Sequence, residues 1–220
     1  MSDRMQRICF GDWHRLMRDW TDVLRLSYVV GAIVFLALGN LEALRIAMGA
    51  AIVYIARAAN LPRPIDIAVC VGVGLEVWGQ TLNLYDNIAY YDKFVHFALP
   101  LLIAPVAYMT LSRLGVVPDL KSEARRHHYL GIWLITFSVV AAFGGTLWEV
   151  FEYVSDAYLG SNLTFGYVDS ISDMACTAAG SALGGLWLVL WAERRWGTER
   201  RTIDGLTRKP EPEPLGAGQA

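Results

Sequence analysis

Of the 220 residues, 55% are hydrophobic and only 18% charged. This is more apolar than the roughly 45–50% of soluble domains and excludes a soluble enzyme of ordinary composition. A formal net charge of -2 offers no basic excess to recruit nucleic acid. The charges fall in blocks between apolar runs of about 20 residues, the length that crosses a bilayer, so the sequence reads as an all-α, polytopic membrane protein.

Residues 5–24 place Ile8, Trp13, Leu16, Met17, Trp20 and Leu24 on one helical stripe, with Arg4, Arg7, Arg15, Arg18 and Asp22 largely off it. That is the pattern of an amphipathic helix lying in the membrane surface, and residues 1–25 are expected to be a cytoplasmic amphipathic segment. The first apolar run begins only after Arg25, which does not match a cleaved signal peptide. A six-helix transmembrane domain is expected over 26–192, with spans near 26–39, 43–58, 65–85, 92–114, 129–153 and 169–192. Pro62 and Pro64 mark the turn before the third span. Gly144 and Gly145 permit a bend or a close approach in the fifth, and Gly180 and Gly184 give the sixth a small-xxx-small face for another helix. The tail 193–220 is charged, then proline-rich, and is expected to be a disordered cytoplasmic tail. Cys9, Cys70 and Cys176 show no ligand spacing, and the last two read as small core residues.

With six spans, every Lys and Arg except Arg45 and Lys93 falls on the side of the two termini. The positive-inside rule then makes both termini cytoplasmic in a bacterial inner membrane. In that topology separate helices deliver acidic groups to one outer layer. Asp92 and His96 start the fourth span, Glu149 and Glu152 end the fifth, Asp169 and Asp173 start the sixth, and Glu76 lies near mid-membrane in the third. Within each pair the spacing is i,i+3 or i,i+4, so both members share a helix face. Ionisable groups in a span are costly and need partners. Six carboxylic acids and an imidazole must either share protons or hold a cation, and the donors suit a divalent ion such as Mg, Mn, Zn or Fe. The expected metal ligands are His96, Asp92, Glu149, Glu152 and Asp173. The catalytic candidates are Glu149, Glu152, Asp173, Asp169 and Glu76. Plainer roles exist: Asp92 and Asp169 as helix caps, His96 as a packing residue, Glu76 as a protonated group bonded to a neighbouring helix, and Lys93, which points away from Asp92, as a side chain snorkelling to the headgroups.

Asp-Lys-x-x-His at 92–96, Glu-x-x-Glu at 149–152, and Asp-x-x-x-Asp at 169–173 followed by Thr177, Gly180 and Gly184 resemble the ordered motifs of YjdF-like bacterial inner-membrane proteins and, more distantly, of VanZ-like proteins. The resemblance covers about 65–190. It departs at Thr177, where an Asn is expected, and Glu152 is closer to the YjdF-like pattern. It implies a membrane location and these site positions but no reaction, although VanZ-like members are associated with glycopeptide-antibiotic resistance.

Three functions follow. One is an outward-facing, metal-dependent site acting on a lipid-linked or small periplasmic substrate, in contact with membrane lipids. The second is a proton- or cation-coupled transporter, disfavoured because the inner halves of the spans hold almost no ionisable groups. The third is a non-catalytic envelope or assembly protein. No Ser-His, Cys-His or phosphate-loop arrangement competes, and no internal repeat supports an inverted-repeat transporter.

Overall fold

A computed structural model describes residues 21–120, 128–159, 166–194 and 197–198, and every regular element among them is helical. In chain order these are α1 (Thr21–Ala37), α2 (Glu42–Ala58), α3 (Arg63–Thr81), the short α4 (Leu84–Asn87), α5 (Tyr91–Arg113), α6 (Tyr129–Phe137), a π-helical segment (Ser138–Gly145), α7 (Thr146–Leu159) and α8 (Tyr167–Glu193). The breaks follow local chemistry. Gly39 turns the chain after α1 at φ +66°, and the Asn40 carboxamide oxygen accepts the Glu42 amide at 2.9 Å where α2 begins. Pro62 and Pro64 flank the start of α3, where a missing N–H costs nothing.

Among the described residues, three helices are long and apolar enough to cross a membrane by length and composition: Tyr91–Arg113, Tyr129–Tyr158 and Tyr167–Glu193. This is fewer than the six expected. The other long helices are α1 and α2, of 17 residues each, and α3, of 19. Residues 5–20 of the expected surface helix, the 121–127 connection and almost all of the 193–220 tail lie outside the described residues. Residues 21–24 are described. They form the first turn of α1, with Thr21, Asp22 and Arg25 buried.

The helices alternate in direction. Arg25 at the start of α1 pairs with Asp66 at the start of α3 and, at 2.9 Å, with Asp22. Arg57 at the end of α2 reaches Asp22 at 3.5 Å. Arg113 at the end of α5 donates to the Ala59 and Asn60 carbonyls, and to that of Thr198 beyond α8. These groups share one end of the bundle. The outer faces are apolar, with Val30, Ile33, Leu44, Ile52 and Ile55 all exposed.

The tightest seam joins α5 and α8. A Cβ on Gly180 would lie 2.0 Å from the Phe97 carbonyl oxygen, and one on Gly184 would lie 2.7 Å from that of Leu101. Pro105 supplies no N–H to the Leu101 carbonyl, so that oxygen faces the α8 backbone instead of closing an α5 turn. On its other side α8 receives Trp133 of α6, whose indole N–H donates to the Ala182 carbonyl at 2.9 Å. Of the cysteines, Cys70 is buried and Cys176 half-buried.

Candidate functional site

The second polar cluster lies at the opposite end of the bundle and is assembled mainly on the α5–α8 seam. Tyr91 fixes the start of α5: its hydroxyl donates to the Leu75 carbonyl of α3 at 2.8 Å, and its ring fills the space left by Gly79. One turn of α5 then presents Asp92, Lys93 and His96. Across the seam, Asp169, Asp173 and Thr177 recur every four residues on one face of α8.

Lys93 is the hub. Its Nζ lies 3.1 Å from Asp92 Oδ2, 2.5 Å from Asp169 Oδ1 and 2.6 Å from Asp173 Oδ1. This corrects the expectation that Lys93 points away to snorkel. A four-carbon stem can swing across the seam, whatever the direction of its Cα–Cβ bond. The available signal was its i,i+3 spacing to His96, which puts both residues on one face. His96 bridges the rest, with Nε2 3.5 Å from Asp92 Oδ1 and Nδ1 3.3 Å from Thr177 Oγ1. Thr177 thus orients the imidazole, a role not read from the sequence. Asp92, His96 and Asp173 each offer a ligand atom within 4.8 Å of the others, which is the set that could hold a metal ion.

The two glutamates are placed differently. Both are on α7, outside that group of three. Glu152 Oε1 accepts from the Trp148 indole at 2.7 Å, and Glu152 lies in electrostatic range of Glu149, Asp92 and Asp173. Glu149 Oε2 is buried with no hydrogen-bond partner. Glu76 on α3 accepts from Tyr85 at 2.5 Å, from the turn that follows its own helix. A cavity of about 220 Å³ opens beside the cluster, with Glu76, His96, Thr177 and Trp148 among its lining residues.

The family described as "Predicted membrane protein (DUF2238)" matches residues 26–194, which takes in α2 to α8 and most of α1. The chain belongs to this family. DUF2238 proteins are described only as predicted membrane proteins, in keeping with the apolar helices here. A 99-residue stretch is 30% identical to an uncharacterised protein of Thermotoga maritima, covering 44% of this chain and 47% of that one. The chain therefore spans about half the length of that relative. No solved structure matches.

Asp92, His96 and Asp173 of this DUF2238 chain offer two carboxylates and an imidazole, donors of the hard-to-borderline kind that could hold a divalent ion. The Lys93 ammonium offsets one of three nearby aspartate charges. Glu149 lies outside this group of three and keeps a buried carboxylate oxygen without a hydrogen-bond donor.

Proposed function

We propose that this protein is a six-span bacterial inner-membrane protein, with both termini cytoplasmic, whose Asp92–His96–Asp173 centre holds a divalent cation and acts on a lipid-linked or small periplasmic substrate. Of the domain limits expected above, the 193–220 tail goes with this topology, while the helical domain takes in the residues from Thr21 onward rather than from 26. Support for six spans comes from the alternation of α1, α2, α3, α5, the α6–α7 unit and α8, together with the basic residues on the side of the termini. The short helices suit tilted or locally thinned spanning. The YjdF-like resemblance is compatible with DUF2238 membership. The VanZ-like resemblance adds no activity.

The observation that carries the reading is the approach of Asp92, His96 and Asp173 within 4.8 Å across two helices, beside a cavity. A cation there would polarise a phosphoryl or carbonyl oxygen or lower the pKa of a bound water. Glu149 serves as proton acceptor, and Asp169 holds Lys93. Metal analysis of protein purified after exposure to Mg, Mn, Zn and Fe tests this. One equivalent in the wild type, lost in Asp173→Asn and His96→Ala, is expected; a metal-free wild type ends the reading.

Coupled proton or cation transport is second. The buried Arg25–Asp66–Asp22 cluster supplies ionisable groups near the other membrane face, where the sequence showed few. Its charge pairing keeps it second, and pH-dependent flux in vesicles by metal-free protein would promote it.

A further inference from the structure

The cavity beside the cation centre is built for hydrocarbon. From His96 its wall runs along α5 through Leu99 and Pro100 to Ile103, about 10 Å by helix rise, with Val140 of the π segment also lining it. Its polar lining groups gather at one end, where His96 meets Thr177 and where Glu76 is bonded to Tyr85. The rest of the wall would leave a small polar solute without hydrogen bonds. An apolar space of this kind also holds water poorly.

The π segment makes the other wall thin. A Cβ on Gly144 would meet only the Val139 carbonyl, at 3.6 Å, so no side chain fills the wall there. Just outside, Phe143, Leu147 and Trp148 are 66%, 52% and 42% exposed, all within an apolar helix long enough to span a bilayer. The cavity thus adjoins a surface that faces acyl chains. At about 220 Å³ it is smaller than the roughly 300–1,000 Å³ of pockets that enclose whole drug-sized ligands, so it accepts a chain rather than a whole molecule.

We propose that this cavity binds the hydrocarbon tail of a membrane lipid, entering beside Gly144 and Trp148, and that the lipid's phosphate head meets the Asp92–His96–Asp173 centre. The head placement rests on the cation reading, because a phosphate needs a bridging cation among these aspartates. The tail placement does not.

The test uses the full chain in phosphatidylethanolamine–phosphatidylglycerol vesicles doped with a phospholipid bearing a diazirine in its acyl chain or, in a second arm, a diazirine-bearing polyprenyl phosphate. After irradiation, adducts on Leu99, Ile103 or Val140 are expected in at least one arm, which identifies the source of the tail, and they should be lost in Val140→Trp. Ile103→Phe, a smaller change, provides the same block where the tryptophan variant does not fold. Adducts confined to outward side chains such as Phe143 and Leu147, or cavity adducts unchanged in the blocking variants, overturn the proposal. Metal content of the same samples reports on the cation centre alone. Cavity adducts in a metal-free protein keep the tail and remove the cation; bound metal without cavity adducts does the reverse.

Discussion

The bundle carries a polar cluster at each end, and the two solve the problem of burying charge in opposite ways. At one end, among the described residues, Arg25 and Arg57 face Asp22 and Asp66. Arg25 and Asp66 are fully buried, and Arg25 also takes Thr21 Oγ1 at 2.9 Å and the Val53 carbonyl at 3.3 Å. At the other end one ammonium stands among Asp92, Asp169 and Asp173, with two glutamates nearby, and the Lys93 and Asp92 side chains are 24% and 35% exposed. Charge removed from water persists when it is paired and hydrogen-bonded. Among the described residues, the first cluster pairs its buried charges directly, whereas the second holds more acids than cations and adjoins a cavity.

The sharpest way to break this comparison is to unpair the first cluster. Arg25→Ala takes a guanidinium partner from the fully buried Asp66, at a cost of about 3–5 kcal/mol. The expected readout is a large fall in the thermal midpoint of the detergent-solubilised protein, with little folded material recovered. A fall of only a degree or two would mean that this end is hydrated. Next comes the seam that assembles the other end. Gly180→Ala forces a methyl onto the Phe97 carbonyl and should cost roughly 1–3 kcal/mol by overpacking. It should also weaken metal retention, because it parts Asp92 and His96 from Asp173, and unchanged retention would remove the seam from the site.

These two ends were unequally visible in the sequence. The apolar runs and the prolines at 62 and 64 mark most helix limits, and the four-residue recurrence of Asp169, Asp173 and Thr177 marks one face. Asp22 reads as the polar side of a surface helix, and Arg25 as the charge before the first span, because hydropathy registers a charge and not its partner on another helix, such as Asp66 41 residues from Arg25. Lys93 was misread for the same reason, since its neighbours Asp169 and Asp173 are on another helix. The i,i+3 spacing of Glu149 and Glu152 does give them a shared face. Where that face points depends on the π segment before it, which rotates everything downstream relative to a regular helix. No periodicity in the sequence announces that shift.

Smaller effects refine the acid-rich end. Thr177→Val removes the hydroxyl 3.3 Å from His96 Nδ1 and should lower metal affinity by the roughly 10–100-fold seen for supporting groups around metal ligands, as measured by titration with Mn or Zn. An unchanged affinity would assign His96 a packing role. Lys93→Met takes the donor from Asp173, whose side chain is only 3% exposed, and should cost roughly 1–3 kcal/mol. The same variant should bind a divalent cation more tightly, since three aspartates lose their internal competitor. Weaker binding would make Lys93 an organiser of the ligands rather than a placeholder.

The contact between Gly180 and the Phe97 carbonyl also constrains how the molecule can move. Two helices whose backbones meet with no side chain between them have no cushion to compress and no rotamer to change, so α5 and α8 must travel as a single rigid body. Any widening of the entrance therefore falls to the opposite wall. There, the loosened turns between Ser138 and Gly145 join a stiff helix to one that leans only lightly on its neighbours. The fold has put its anvil on one side of the chamber and its hinge on the other.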